Sequence, residues 1–128
     1  MKVNFLIVIS FVFFACNSDD NYGEELKDIA VGVNQKCPQM LDSETRLDGI
    51  EIIEPNTINY KYTLVHVEAQ NVDTQQFNRA LWPGLVSNTK VSADMKKLRD
   101  HNTTLLYSYR DKFNKPISTV TISPQHYK

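Results

Sequence analysis

Glycine and cysteine are scarce in this chain, and their scarcity excludes several kinds of site. The 128 residues include four glycines and two cysteines. So few glycines leave no glycine-rich loop to hold a phosphate group, and the Gly-x-Ser-x-Gly turn of many serine hydrolases is absent. The sequence therefore predicts neither nucleotide binding nor hydrolysis by an activated serine.

Paired histidines and a basic surface are missing as well. No two of His66, His101 and His126 have the i, i+4 spacing or the His-Glu-x-x-His frame of a zinc site. Lys and Arg number 14 against 15 Asp and Glu, a net charge of −1. Nucleic-acid-binding domains need a basic stripe, so nucleic acid is not expected as a partner. We expect no metal and no cofactor.

Residues 1–15 are predicted to be a signal peptide. Lys2 precedes an almost unbroken apolar run from Val3 to Ala15, which is shorter than the roughly 20 residues of a membrane-spanning helix. Ala15 before Cys16 resembles the lipobox of bacterial lipoproteins, although Phe13 and Phe14 differ from its commonest form. The resemblance implies cleavage before Cys16 and a lipid on its sulfur. The alternatives are a plain secreted protein cut nearby and an uncleaved anchor.

The residues after Cys16 refine the expected location. Asp19 and Asp20 resemble the export tag that sends some Gram-negative lipoproteins to the outer face of the outer membrane. Residues 16–23 are polar and are predicted to be a tether. Loss of residues 1–15 removes one charge, Lys2, and leaves a net charge of −2.

With Cys16 acylated, Cys37 is the one thiol left, so no intramolecular disulfide is expected. Cys37 closes an apolar stripe on a predicted first helix, residues 24–36, and Pro38 ends that helix. Burial is the default for such a cysteine. An intermolecular disulfide through Cys37 is the alternative.

Residues 24–124 are predicted to form one domain, followed by a tail at residues 125–128. A strand beginning near Arg46, with a bulge at Gly49, is followed by the turn Pro55-Asn56 and a clean alternation over residues 57–68. These two segments predict a β-hairpin.

A second helix is expected to begin at Asp73, whose spacing from Gln76 is that of a capping box, and to kink or break at Pro83-Gly84. A short helix follows and ends at Asn102. A second hairpin, turning near Asn114, completes the order αββα(α)ββ.

This order predicts an α+β fold in which the two hairpins form one antiparallel sheet, packed by helices on one face. The tyrosines of the strands are expected to cover the other face. That face would then be partly apolar and available for contact.

The motif residues also resemble a family. They are Pro38, Met40, Asp42, Thr45–Asp48, Tyr60–Leu64, Asp94, Met95, Leu98, Leu105, Tyr107–Tyr109, Asp111 and Lys112. Over roughly residues 26–124 they resemble a family of small, uncharacterised bacterial envelope proteins with Pro-x-Met-x-Asp-x-x-Thr-Arg-Leu-Asp and Tyr-x-Tyr-Thr-Leu motifs. The resemblance implies a fold and no particular activity.

The chain departs from that family at two kinds of position. Asn102 and Asn114 stand where the family tends to have glycines, and asparagine tolerates the left-handed conformation. The family's cysteines near Lys90 and at the C-terminus are absent, so the resemblance implies a looser C-terminal tail here.

Asp42, Glu44, Arg46 and Asp48 form the best polar cluster in the sequence. A guanidinium between carboxylates can hold an anionic ligand or a general base, and Trp82 is a further candidate for contact. The competing interpretation is a surface turn pinned by an Arg–carboxylate pair, which we favour because no nucleophile or second acid accompanies the cluster.

Two functions remain open. The first is a lipid-anchored envelope protein that binds a partner protein without catalysis, anchored in the outer membrane by its lipid. The second is a small ligand-binding protein or hydrolase built on Asp42, Arg46 and Asp48. The lack of catalytic motifs makes an enzyme the less favoured of the two.

Overall fold

The computed structural model describes residues 21–128, so the predicted signal peptide and Cys16 lie outside the described residues. The helices are α1 (Tyr22–Asn34), α2 (Thr74–Val91), α3 (Lys96–Asp100) and α4 (Pro124–Tyr127), and the strands are β1 (Gln39–Met40), β2 (Thr45–Ile53), β3 (Thr57–Leu64), β4 (Thr104–Arg110) and β5 (Pro116–Ile122). Within residues 21–128, no helix is both long enough and apolar enough to cross a membrane.

The strands form one sheet in the order β1-β2-β3-β4-β5. Both predicted hairpins are present, β2 with β3 and β4 with β5, each antiparallel. The central pair β3 and β4 is parallel, because α2 and α3 return the chain to the end of the sheet where β3 began. The α+β class is confirmed, and the sheet is mixed at this one junction.

Both long helices cover the same face of the sheet. Leu26 of α1 is fully buried in the core, and Phe77 of α2 packs edge-on against Tyr109 with ring centroids 5.2 Å apart. The opposite face is polar: Lys61 pairs with Glu51 across two strands at 2.9 Å. Helices on one face were predicted, and the structure confirms it.

The prediction for the strand tyrosines is wrong. Their rings lie on the helix-covered face, where Tyr107 and Tyr109 belong to the buried core. A Tyr-x-Tyr alternation fits either face of a sheet, and the large rings bury more apolar area under the helices.

The structure confirms the predictions made for the bulge, for two left-handed residues and for the cap of α2. The β2–β3 register shifts between Leu47 and Gly49, the predicted bulge. Asn102 and Asn114 have φ angles of 55° and 65°, and Asp73 caps α2 by accepting the N–H of Gln76 at 3.0 Å.

The sequence predicted a kink or a break at Pro83. The break is wrong, since α2 continues through Pro83 to Val91, and the kink stays a prediction. Pro83 cannot donate a hydrogen bond to the carbonyl of Arg79. Its own side chain is exposed on the outer side of the helix, where water can hydrate that carbonyl. The helix therefore tolerates the missing bond.

The last residues pack against the domain instead of forming a loose tail. In α4 the imidazole Nδ1 of His126 accepts the Ser123 N–H at 3.0 Å. Tyr127 is buried and donates its hydroxyl to the carbonyl oxygen of Thr103 at 2.7 Å. Burial of the Tyr127 ring therefore holds this end of the chain without the cysteines that the family resemblance implies.

The end of α1 is tied to the free edge of β2 by one side chain. Asn34 donates from Nδ2 to the Ile50 carbonyl at 2.9 Å, and the Ile50 N–H donates to Asn34 Oδ1 at 2.7 Å. A Cβ added at Gly49 would lie 2.9 Å from that same oxygen. Glycine at the bulge therefore makes room for the Asn34 contact.

We expect Asn34→Ala and Gly49→Ala each to lower the free energy of unfolding by about 1–2 kcal/mol, measured by urea unfolding of residues 21–128. Gly49→Ala acts both by displacing Asn34 and by placing a side chain on a residue whose φ is 158°, so the double variant should lose less than the sum of the two. Additive losses would show that Gly49 acts independently of Asn34.

Candidate functional site

Four tyrosines of the central strands form a stacked row, which we call the tyrosine row. They are Tyr60 and Tyr62 of β3 and Tyr107 and Tyr109 of β4. The cross-strand centroid distances are 5.2 Å for Tyr60–Tyr107 and 5.1 Å for Tyr62–Tyr109. The parallel register of β3 and β4 places the two pairs side by side.

The tyrosine row lies between the two long helices. α1 packs on β2 and α2 on β5, while the two helices have little contact with each other within residues 21–128. The one buried residue of α2 is Thr89, and Phe77 and Leu81 are only partly covered. We call the space above the tyrosine row, between α1 and α2, the cleft.

Within residues 21–128, no hydrogen bond uses the hydroxyls of the row. The Tyr107 hydroxyl is buried without a hydrogen-bond partner in the described part of the chain. Desolvation raises the pKa of Tyr60 and Tyr62, and it raises the pKa of Tyr109 to about 12. Desolvation also raises the pKa of Tyr107, partly offset by the neighbouring Thr89 hydroxyl. These phenols stay protonated at neutral pH and can donate hydrogen bonds to an occupant.

A hollow of about 570 Å³ lies between α1 and the β1–β2 edge of the sheet. Its apolar lining comes from Ile29 and Val33 of α1 and from Leu47 of β2. Leu47 is the register partner of Tyr62 and lies on the same face of the sheet. Leu47 therefore lies on the same face of the sheet as the tyrosine row, although none of the four tyrosines lines the hollow.

In the polar cluster predicted from the sequence, Arg46 and Asp48 are bonded to each other and to Thr63. Arg46 Nε donates to Asp48 Oδ1 at 2.6 Å, and the Thr63 hydroxyl donates to Asp48 Oδ2 at 2.5 Å. Arg46 also reaches the Thr63 oxygen at 3.3 Å. These three side chains lie on the open polar face, away from the cleft. Each Asp48 oxygen already has a partner, so the cluster has the form of a structural brace.

Asp42 is also engaged by the local chain. Its Oδ1 accepts the N–H groups of Glu44 and Thr45 at 2.8 and 2.7 Å. These backbone bonds lower the pKa of Asp42. The carboxylate pins the turn before β2 and is not joined to Arg46 or Asp48. The structure thus supports the interpretation as a pinned surface turn.

The remaining sequence candidates lie apart from one another. Trp82 is 37% exposed on the outer side of α2, where it packs edge-on against His126. Cys37 is partly buried against the core, next to the end of α1. No group of three or more His, Cys, Asp or Glu within residues 21–128 could hold a metal ion.

A second, polar hollow of about 340 Å³ lies at the start of α1, beside the stacked rings of Tyr22 and His101. The Tyr22 hydroxyl donates to Thr103 Oγ1, which donates to Asn56 Oδ1 at 2.9 Å. Asn56 in turn donates to the His101 carbonyl at 2.8 Å. This network joins α1 to the turn of the first hairpin. The side chains of Tyr22, Thr103 and Asn56 are thus already engaged in hydrogen bonds with each other and with the His101 carbonyl.

Sequence reasoning missed the cleft, because its residues come from elements far apart in the chain. The available signal was the repeated Tyr-x-Tyr alternation at Tyr60, Tyr62, Tyr107 and Tyr109, one pair in each hairpin. That pattern identified the tyrosines as a group and left open which face they occupy.

The fold and the cleft define a small α+β protein in which a mixed sheet carries two separated helices on one face. The chain belongs to the family described as a domain of unknown function (DUF8479), whose model matches residues 20–118. No curated protein matches the chain in sequence.

Three solved structures share the fold. A Pseudomonas aeruginosa protein described as secreted has a TM-score of 0.70 at 15% identity, covering 86% of this chain and 96% of its own. The pilotin EpsS of the type 2 secretion system of Vibrio vulnificus has a TM-score of 0.60 at 12% identity, covering 86% and 91%. The type II secretion pilotin AspS of Vibrio cholerae has a TM-score of 0.62 at 10% identity, covering 84% and 94%. At these identities the likeness shows the fold alone.

Proposed function

We propose that this protein is a lipid-anchored component of the bacterial cell envelope that binds a partner protein in its cleft and catalyses no reaction. The observation that carries the proposal is the tyrosine row, whose rings lie between α1 and α2 and whose hydroxyls have no hydrogen-bond partner within residues 21–128. Aromatic surfaces with free polar tips are typical of protein interfaces.

The shared fold supports the same kind of role. Two of the similar structures are pilotins of type II secretion systems and a third is described as a secreted protein. We propose a comparable adaptor role for this chain in the envelope, at the outer membrane. The hydrolase alternative has no support, since Asp42, Arg46 and Asp48 are already bonded and line no hollow described above.

Lipidation at Cys16 remains a proposal, and it is open to a direct test. We expect Cys16→Ser to move the protein from the membrane fraction to the soluble envelope fraction and to abolish incorporation of a clickable fatty acid. The reason is that the acyl chains supply the membrane affinity when no protein span does. Unchanged fractionation with no fatty-acid label on the wild type would contradict the anchor.

The partner is tested by photo-crosslinking in cells. A photoreactive residue replaces Tyr62 in the cleft or, as a matched control, Thr121 on an exposed position of β5. We expect one discrete adduct from position 62 and none from position 121, and mass spectrometry then identifies the partner. Identical adducts from both positions, or none from either, would argue against a specific partner in the cleft.

A further inference from the structure

The hollow between α1 and the β1–β2 edge, which we call the edge hollow, is separate from the cleft. Its floor is the edge of the sheet, where Gln39 of β1 pairs with Leu47 of β2 and both residues line the hollow. Its wall is α1, which packs on β2 and leaves the two residues of β1 exposed. The edge hollow is therefore open to solvent along β1.

The apolar part of the edge hollow is aliphatic. Ile29, Val33 and Leu47 supply it, and Ile29 is 37% exposed there. Among the residues that line the edge hollow none is aromatic, so a planar ring would find no ring to stack on. Small-ligand sites combine an apolar lining with a few placed polar groups. A hydrocarbon chain is the ligand that matches this lining.

The polar part of the edge hollow is collected at one end. Gln35, Lys36 and Gln39 lie around the corner between α1 and β1. Ile29 precedes Lys36 by seven residues, a rise of about 10 Å along a helix. The edge hollow is thus aliphatic along α1 and carries hydrogen-bond donors where α1 ends.

The charge at that end is positive. Lys36 is the one charged residue in the lining, and it makes no ion pair within residues 21–128. The last carbonyls of α1 do not offset it, because the N–H groups of Gln35 and Lys36 donate to the carbonyls of Val31 and Val33, each at 3.0 Å. A carboxylate at this end would form a charge-assisted hydrogen bond with the ammonium group.

We infer that the edge hollow binds a single-chain fatty acid, with its hydrocarbon chain on Ile29, Val33 and Leu47 and its carboxylate on Lys36. This inference goes beyond the proposed function, which concerns the cleft. The ligand is a free fatty acid and not an acyl chain of the lipid proposed at Cys16, because those chains are bound as esters or amides and have no carboxylate to offer Lys36.

The test uses cis-parinaric acid, a fatty acid whose fluorescence rises when its chain leaves water. The protein is the chain from residue 16 onward with Cys16→Ser, so that it carries no lipid. We expect saturable binding that palmitate displaces about 5-fold more effectively than methyl palmitate, which lacks the charge. Lys36→Gln should remove this difference, while the matched variant Lys90→Gln, exposed on α2, should keep it.

A second pair of variants locates the chain. Ile29 and Val31 both lie on α1 and are 37% and 56% exposed, but only Ile29 lines the edge hollow. We expect Ile29→Glu to weaken parinarate binding by about 20-fold or more, because it removes apolar contact and adds a like charge. Val31→Glu should leave binding unchanged. The Tm of each variant shows that both remain folded.

The other outcomes overturn the inference in distinct ways. No saturable binding of parinarate by the wild type would exclude a fatty-acid site, and a persisting adduct from position 62 would leave the proposed function standing. Equal losses for Ile29→Glu and Val31→Glu would place the chain outside the edge hollow. Equal displacement by palmitate and methyl palmitate would remove the role of Lys36. Fatty-acid binding without any adduct from position 62 would defeat the proposed function alone.

Discussion

Asp111→Ala is expected to lower the Tm of the domain by about 10 °C or more, because this carboxylate joins two loops from inside the protein. Asp111 is 1% exposed. Its Oδ2 accepts the Ala69 N–H at 2.8 Å, and its Oδ1 accepts the N–H groups of Phe113 and Lys115, each at 2.8 Å. Alanine would leave all three donors without their acceptor. Thermal unfolding followed by circular dichroism measures the effect.

Asp111→Asn is the matched control for this prediction. Asparagine keeps one oxygen for Phe113 and Lys115 and presents an amide N–H₂ to the donor of Ala69, so we expect a loss between those of the wild type and of alanine. A Tm for Asp111→Ala within 2 °C of the wild type would contradict the role given to this carboxylate.

The same contact has a pH signature. Burial alone would raise the pKa of Asp111, but the N–H groups of Ala69, Lys115 and Phe113 outweigh burial and hold the pKa below its ordinary value of 3.8. A lowered pKa in the folded state contributes stability above the ordinary value, and this stability is lost as the pH falls through the lowered pKa. The Tm difference between wild type and Asp111→Asn should therefore be full at pH 7 and shrink below pH 3.8.

Features fixed by neighbouring residues could be predicted from the sequence. The apolar stripe of α1, the bulge at Gly49 and the left-handed residues Asn102 and Asn114 each depend on one residue type in a local pattern. The cap at Asp73 belongs to the same group. Intrinsic backbone preferences suffice for these features, so no knowledge of the tertiary structure was needed.

Features that depend on distant packing could not be predicted in the same way. The parallel pairing of β3 with β4 depends on where α2 and α3 return the chain, and no local signal encodes it. Pro83 predicted a break by its own chemistry, but the rest of α2 is held by contacts with β5 and α4 that override one missing bond. The polar cluster was visible because Arg46 and Asp48 are neighbours in sequence, whereas the cleft gathers residues from β3, β4 and two helices.

Replacing Tyr60, Tyr62 and Tyr109 together by phenylalanine is expected to weaken binding of the partner protein identified by crosslinking on the order of 100-fold, since three hydrogen bonds of about 1 kcal/mol each would be lost. The stability of the free domain should change by less than about 1 kcal/mol. The rings and their stacking remain, and among the described residues no hydrogen bond within the fold uses these hydroxyls. Titration with the purified partner and urea unfolding of the same samples measure the two quantities side by side.

Tyr107→Phe separates the two roles of the row. Its hydroxyl is buried without a partner, so removing it should leave the free energy of unfolding unchanged or slightly higher. Its effect on binding depends on whether the partner reaches that depth. A loss of affinity would place the partner against Tyr107, and no loss would restrict the contact to the more exposed Tyr60 and Tyr62. If the triple variant unfolds more easily by several kcal/mol while binding is retained, the hydroxyls serve the fold and the cleft is not a binding site. If the triple variant keeps its stability and loses affinity, the hydroxyls of the tyrosine row serve binding and not folding.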